Sequence, residues 1–215
     1  MNSLFLELIS GLEQNLAHKK LGEYAHKLMA PQGRLLAPDH EIPPRPSAIL
    51  IALYEKDDQI FFPIIRRNIY NGLHSGQMGF PGGKFEPNDK TLINTALRES
   101  QEEIGINSNE VVVLGTLSEL YIPITNVQIL PVIAYLKTEP NFILDSHEVD
   151  SIFTINITEI MNHSNKVTEL WTIRGAEVNV PFYYIHEQKI WGATAMILSE
   201  LEQLLLSINF KSTFT

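Results

Sequence analysis

The stretch 82-GGKFEPNDKTLINTALRESQEEIGI-106 decides how the rest of the chain is read. It sets five acidic residues, Glu86, Asp89, Glu99, Glu102 and Glu103, around one arginine, Arg98. Gly82 and Gly83 stand at its front and Gly105 near its end. Residues 90–104 read as a helix, with Asn88 or Asp89 able to cap its start and Gly105 able to end it. Ile93, Ala96, Leu97, Ser100 and Ile104 recur at helical spacing and predict a face that packs on a sheet. Glu99 and Glu103 are one turn apart with Glu102 beside them, so three carboxylates gather on the other side. Like charges at that spacing cost a helix roughly 0.2–0.5 kcal/mol per pair, and a divalent cation turns the repulsion into attraction. Taken alone, two adjacent glutamates on a helix are an ordinary solvated face. The neighbouring arginine, the glutamate one turn earlier and the preceding GFPGGK loop favour a hard-cation site for Mg2+ or Mn2+ instead. Gly82 and Gly83 let the backbone come close to a ligand.

Working outward, the upstream run 47-SAILIALY-54 reads as a buried strand, KDDQ as a turn and IFFPIIRR as the second strand of a hairpin. Residues 68–81 read as a Gly-rich loop. Downstream, VVVLGTL, VQILPVIAYL, SIFTINI, VTELWTIR and VNVPFYYI are strand-like, and residues 192–208 form a last helix. Residues 3–16 carry leucines and an isoleucine mostly on one side and predict a helix; residues 23–29 predict a short second one. Pro31, Gly33, Pro38, Pro43, Pro44 and Pro46 mark an extended lead-in. Strands outnumber helices and do not alternate with them, which predicts an α+β fold with a mixed sheet covered by helices. The expected organisation is a helical and Pro-rich lead-in over residues 1–45 and one α+β domain over residues 46–210.

The totals exclude several classes. A chain of 215 residues with 44% hydrophobic and 19% charged residues is an ordinary globular protein. A net charge of −9 argues against nucleic acid or a membrane surface as partner, although a local cluster or a metal still admits an anionic substrate. The absence of cysteine excludes disulfides, thiolate catalysis and zinc–thiolate sites. No apolar run is long enough for a bilayer, and the first residues lack the basic start of a signal peptide, so the expected compartment is the cytoplasm.

The quoted stretch resembles the signature box of Nudix hydrolases. Gly83, an acid after five residues at Asp89, then Arg98, Glu99, Glu102, Glu103, Gly105 and Ile106 follow its pattern. Three departures stand out: Asp89 for the usual Glu, one extra residue before Arg98, and Ser100 for an aliphatic residue. The first two are similar to those of the coenzyme A diphosphatase branch. Upstream, Gly76 and then 80-FPGG-83 match that branch's own motif, while Gly72 stands where the branch places an arginine. The likeness extends through PPRPSAILIALY and IWGATAMIL and covers roughly residues 30–205.

The resemblance implies a Nudix-type α/β/α sandwich and metal-dependent hydrolysis of a nucleoside diphosphate derivative. For this branch the substrate is coenzyme A or its thioesters, and the products are 3′,5′-ADP and 4′-phosphopantetheine or its acyl form. It implies Glu99 and Glu103 as main metal ligands, Glu102 and the Gly83 carbonyl as co-ligands, and Arg98 as the group that holds the carboxylates in place. The base is Glu99 or Glu148. Gly82, Lys84, Arg66 and Arg67 flank the loop as candidate substrate contacts. Arg34 and Arg45 are either phosphate contacts or plain surface cations, and Tyr121, Phe182 and Tyr183 either stack on a base or pack in the core. His74, with no second histidine at ligand spacing, is not read as a ligand. Two other readings stay open: a Nudix enzyme for ADP-ribose or NADH, motivated by Gly72, and a nucleotide-binding module without turnover. A homodimer is the expected assembly.

Overall fold

The run 47-SAILIALY-54 lacks alternation because its strand is covered on both faces. A computed structural model of the chain describes residues 1–18, 20–38, 40–68 and 76–210. In it β1 (Arg45–Lys56) lies at the centre of a mixed sheet. Ala48, Leu50, Ala52 and Tyr54 point into one core; Ile49, Ile51 and Leu53 point into the other.

β1 turns into β2 (Gln59–Arg67) through Asp57 and Asp58. Both have positive φ, 48° and 59°, as a two-residue hairpin with right-handed strand twist requires. β2 also pairs with β3 (Met78–Gly79) and with β8 (Val149–Asn156). On its other side β1 runs parallel to β7 (Val127–Leu136), which pairs in turn with β5 (Val111–Thr116) and β6 (Leu120–Ile122). β4 (Gly82–Lys84) folds back antiparallel onto the start of β1, with Gly83 opposite Ala48.

One face of the sheet carries α3 (Leu92–Ile104), through Ala96 and Ile104 with Ile93 and Leu97 partly buried beside them. The opposite face carries α1 (Ser3–Leu16) and α5 (Gly192–Ser207). α2 (Gly22–Leu28) packs on α5. Phe5 of α1 meets Tyr135 of β7 edge-on at 6.1 Å. The arrangement is the expected α+β sandwich with a mixed sheet. A second sheet orders β9 (Lys166–Ile173), β10 (Ala176–Ile185) and β11 (Gln188–Trp191) antiparallel. Tyr183, Ile185 and Ile190 join it to the α5 core. Among the described residues no helix is long and apolar enough to cross a membrane.

The structure corrects several local expectations. α3 starts at Leu92 with Thr91 as its cap, accepting from the Asn94 N–H, because Asp89 is buried and otherwise engaged. The end at Gly105 is as expected, with φ 74°. The short strands β3, β4, β6 and β11 and the five-residue α4 (Ile157–Met161) are too short to leave a periodic signal.

Candidate active site

Two glycines bring backbone against carboxylates. Gly82 sits at φ 146°, where a Cβ would run into the Ala48 carbonyl and Ile49 of β1. Its N–H donates to Glu103 Oε2 at 2.7 Å. A Cβ on Gly83 would overlap the Glu99 carboxylate itself, so that side chain lies flat against the β4 backbone. The Gly83 carbonyl accepts from the Ser47 hydroxyl. Antiparallel pairing of β4 with β1 therefore sets the loop, and α3 delivers Glu99 and Glu103 to it from above.

Arg98 organises the outer side. Its Nε and Nη2 donate to the two oxygens of Asp89 at 2.7 and 3.1 Å. Nη2 also reaches Glu99 Oε1 at 3.0 Å and the Lys84 carbonyl at 3.1 Å, and Nη1 reaches Glu102 Oε2 at 2.8 Å. Asp89 is fixed by the Thr95 hydroxyl at 2.8 Å and the Glu86 N–H at 2.9 Å. Arg98 thus holds Glu99 and Glu102 while Asp89 holds Arg98.

The electrostatics follow from burial. Glu103, with its side chain 2% exposed, is pushed up to about 7 by desolvation. Arg67 and the Gly82 N–H pull it back, and Glu99 and Glu148 push it further. Its Oε1 is sealed from solvent with no hydrogen-bond partner, and Arg67 Nη1 stands 3.5 Å away. Burial also raises Glu99, against the opposing pull of Arg98, with Glu102 and Glu148 adding repulsion. Two desolvated carboxylates and an orphaned oxygen make a site that gains from a cation.

The donor set fits a hard divalent ion: carboxylate oxygens, one of them unpartnered, beside a backbone carbonyl. The three box glutamates are not gathered into a closed cage. Among the described residues no group of three acids or histidines lies close enough to hold an ion. Arg98 draws Glu102 outward, leaving its side chain 57% exposed, and the Gly82 N–H occupies Glu103 Oε2.

The other sequence candidates separate. Arg67 Nη2 donates to the Gly82 carbonyl at 3.1 Å and joins the site. Arg66 turns the other way, pairs with Asp150 at 2.6 Å and lies over the Phe153 ring. The Lys84 side chain is exposed. Glu148 is exposed yet stands near enough to raise both Glu99 and Glu103. It arrives there because the Asp145 and Ile143 N–H groups donate to the Glu103 and Ile104 carbonyls, lashing the loop between β7 and β8 to the end of α3. Phe182 stacks on Trp171 at 5.8 Å, and Tyr183 is buried against Glu202. Tyr121 is buried too, with its hydroxyl donating to Asn126. Gly72 and His74 lie outside the described residues.

Sequence reasoning missed Ser47 and the anchoring role of Asp89. It also did not separate Arg66 from Arg67. The period-two alternation of β2 carries that last signal: Phe61 and Ile65 face α3, so Arg67 does as well.

The family model described as NUDIX domain matches residues 43–173. An uncharacterized Nudix hydrolase, NudL, of Photorhabdus laumondii is 34% identical over 164 residues, covering 74% of this chain and 84% of that protein. Nudix hydrolase 3 of Caenorhabditis elegans is 29% identical over 175 residues, covering 74% and 72%. Among solved structures, a MutT/nudix family protein from Enterococcus faecalis superposes with a TM-score of 0.53 at 17% identity, over 91% of this chain and 73% of that one. The NUDIX domain of Shewanella oneidensis NrtR, complexed with ADP ribose, gives 0.51 at 13% identity, over 79% and 93%. These last two likenesses speak to the fold.

Proposed function

Because this chain belongs to the Nudix family and is a hydrolase of nucleoside diphosphate derivatives, we propose that its substrate is coenzyme A or an acyl-coenzyme A. Water adds to one phosphorus of the diphosphate and the bridging P–O bond breaks. The products are 3′,5′-ADP and 4′-phosphopantetheine or its acyl form. The observation that carries this reading is the continuity of the loop from Gly76 through Phe80, Pro81, Gly82 and Gly83 with the carboxylates of α3. The Thr194 hydroxyl of α5 pins that loop by donating to the Met78 carbonyl at 2.9 Å.

Glu103, Glu99 and the Gly83 carbonyl would hold Mg2+ or Mn2+, with Glu102, drawn outward by Arg98, at the rim of the group. A bound ion of this kind supplies Lewis-acid stabilisation of the diphosphate charge and lowers the pKa of water. The chain's own groups do the rest. Arg98 fixes the rotamers of Glu99 and Glu102 through its bonds to both and to Asp89. Arg67 places a cation beside Glu103 and at the mouth of the glycine loop, where a phosphate oxygen arrives. Glu148 is the proposed base: exposed to water, uncommitted to Arg98, and near enough for its charge to raise both Glu99 and Glu103.

Gly72, in place of the branch's arginine, favours a second reading: a diphosphatase for ADP-ribose or NADH. A product assay decides. Coenzyme A, acetyl-coenzyme A, ADP-ribose and NADH are each incubated with Mg2+ or Mn2+ and with chelator. Release of 3′,5′-ADP from the first two, abolished by chelator, is the expected result. Preferential cleavage of ADP-ribose or NADH overturns the coenzyme A assignment and keeps the family chemistry.

A further inference from the structure

We propose that Arg34, held on β6 by the Tyr121 carbonyl, is the principal ligand of a second phosphate on the substrate, a phosphomonoester carried by its nucleoside half. The proposal rests on the nucleotide-diphosphatase reading above and names what else that substrate must carry.

The guanidinium of Arg34 is half-buried and incompletely used. Nη2 donates to the Tyr121 carbonyl at 2.9 Å, while Nε is sealed from solvent with no partner. Arg66, Arg67 and Arg98 each face a carboxylate; among the described residues no carboxylate pairs with Arg34. A desolvated cation without a counter-charge is costly, and burial disfavours its charge here. An anion arriving with the substrate removes that cost.

Other basic groups bond to the same stretch of chain. Arg45 Nη2 donates to the Thr125 carbonyl at 2.9 Å, and its N–H to the Asn126 carbonyl at 2.9 Å. His40 Nε2 lies 3.3 Å from the Tyr121 hydroxyl. Two arginines and a histidine therefore bond to residues 121–126, the end of β6 and the turn after it, in a chain whose net charge is −9. The guanidinium fork suits a phosphate dianion better than any other common anion of a nucleotide.

β6 also stands at the right place. Lys84, Ser47, Ile129 and Leu120 form one row across β4, β1, β7 and β6. The next row, Pro46, Gln128 and Tyr121, runs beside it at the same end of the sheet. Leu120 and Ile122 point into the α5 core, so Tyr121 between them faces the α3 side, where Glu99 lies on Gly83. Three inter-strand steps separate β4 from β6, about 14 Å at about 4.8 Å each. A nucleotide with its diphosphate at Gly83 reaches β6 with a phosphate on its ribose.

The test is calorimetric titration of 3′,5′-ADP and 5′-AMP, with chelator present, into wild type, Arg34→Gln and Arg34→Lys. Wild type is expected to prefer 3′,5′-ADP by about tenfold or more. Arg34→Gln should lose that preference and bind 5′-AMP as before; Arg34→Lys should keep part of it. Equal affinities in wild type, or a preference that survives in Arg34→Gln, overturn the proposal. So does a parallel loss of 5′-AMP, which marks a structural role through Tyr121. None of these readings needs turnover, so failure to cleave coenzyme A in the product assay stays distinguishable from failure of this subsite.

Discussion

Arg98 grips Asp89 with two parallel donors, Nε to Oδ1 at 2.7 Å and Nη2 to Oδ2 at 3.1 Å, and only its remaining capacity reaches Glu99 and Glu102. The buried partner of the arginine is thus an acid from the loop before α3, not an acid of the helix. Asp89→Ala should leave the partly buried guanidinium with only Glu99 and Glu102 as partners and cost about 1.5–3 kcal/mol, the scale of hydrogen bonds to a charged group. Denaturant melts measure it. Activity should fall with it, because Glu99 and Glu102 lose their fixed positions.

The same pair sets a pH dependence. Arg98's hydrogen bonds hold the Asp89 carboxyl well below the usual range, against the opposing push of burial. The unfolded chain takes up this proton near pH 4, at about the ordinary value for Asp, while the folded chain keeps the carboxylate ionised. The contribution is fully present above that pH and is lost as pH falls toward the folded value. Acid unfolding of Asp89→Asn should therefore be shallower than that of wild type, followed by circular dichroism.

Glu103 behaves in the opposite sense. Its folded value, raised to about 7 chiefly by burial, means that metal-free stability declines between about pH 4.5 and pH 7. In chelator, Glu103→Gln should melt above wild type at pH 8 and level with it at pH 4. With Mg2+ it should lose activity by about a hundredfold or more, the scale expected when a group essential to metal-assisted chemistry is removed. A variant that keeps wild-type rate would remove Glu103 from the site.

The two loop glycines should fail differently. At Gly83 the nearest atoms a Cβ meets belong to the Glu99 carboxylate, the end of a side chain and not backbone. Gly83→Ala should fold with nearly unchanged melting and lose activity by about tenfold or more, as a displaced group costs. At Gly82 a Cβ meets the β1 backbone at φ 146°. Gly82→Ala should destabilise by more than about 2 kcal/mol. Paired melts and rates on the two variants make the comparison.

Arg66 and Arg67 offer the same kind of contrast. Arg66→Gln removes an exposed ion pair with Asp150, worth about 0–1 kcal/mol, and should leave kcat within about twofold. Arg67→Gln removes the cation beside Glu103 and the bond to the Gly82 carbonyl, and should lower kcat/KM by about tenfold or more. Steady-state rates on the preferred substrate of the product assay separate the two.

Much of the fold was legible because its signals are local. The amphipathic face of α3, the Gly105 stop and the unalternating run of β1 each express burial or backbone freedom within a few neighbouring residues. The box of Arg98, Glu99, Glu102 and Glu103 is equally local, one helix presenting one face. The tertiary structure alone decided which groups meet that face. Arg67 and not Arg66 joins Glu103 because the strand alternates and β2 turns the Phe61, Ile65 and Arg67 face toward α3. Glu148 approaches because two backbone bonds tie its loop to the end of α3. Arg34 reaches a carbonyl 87 positions away. The sequence determined which residues have the chemistry; charge state, burial and partnership came from contacts between segments far apart in the chain, which no local pattern records.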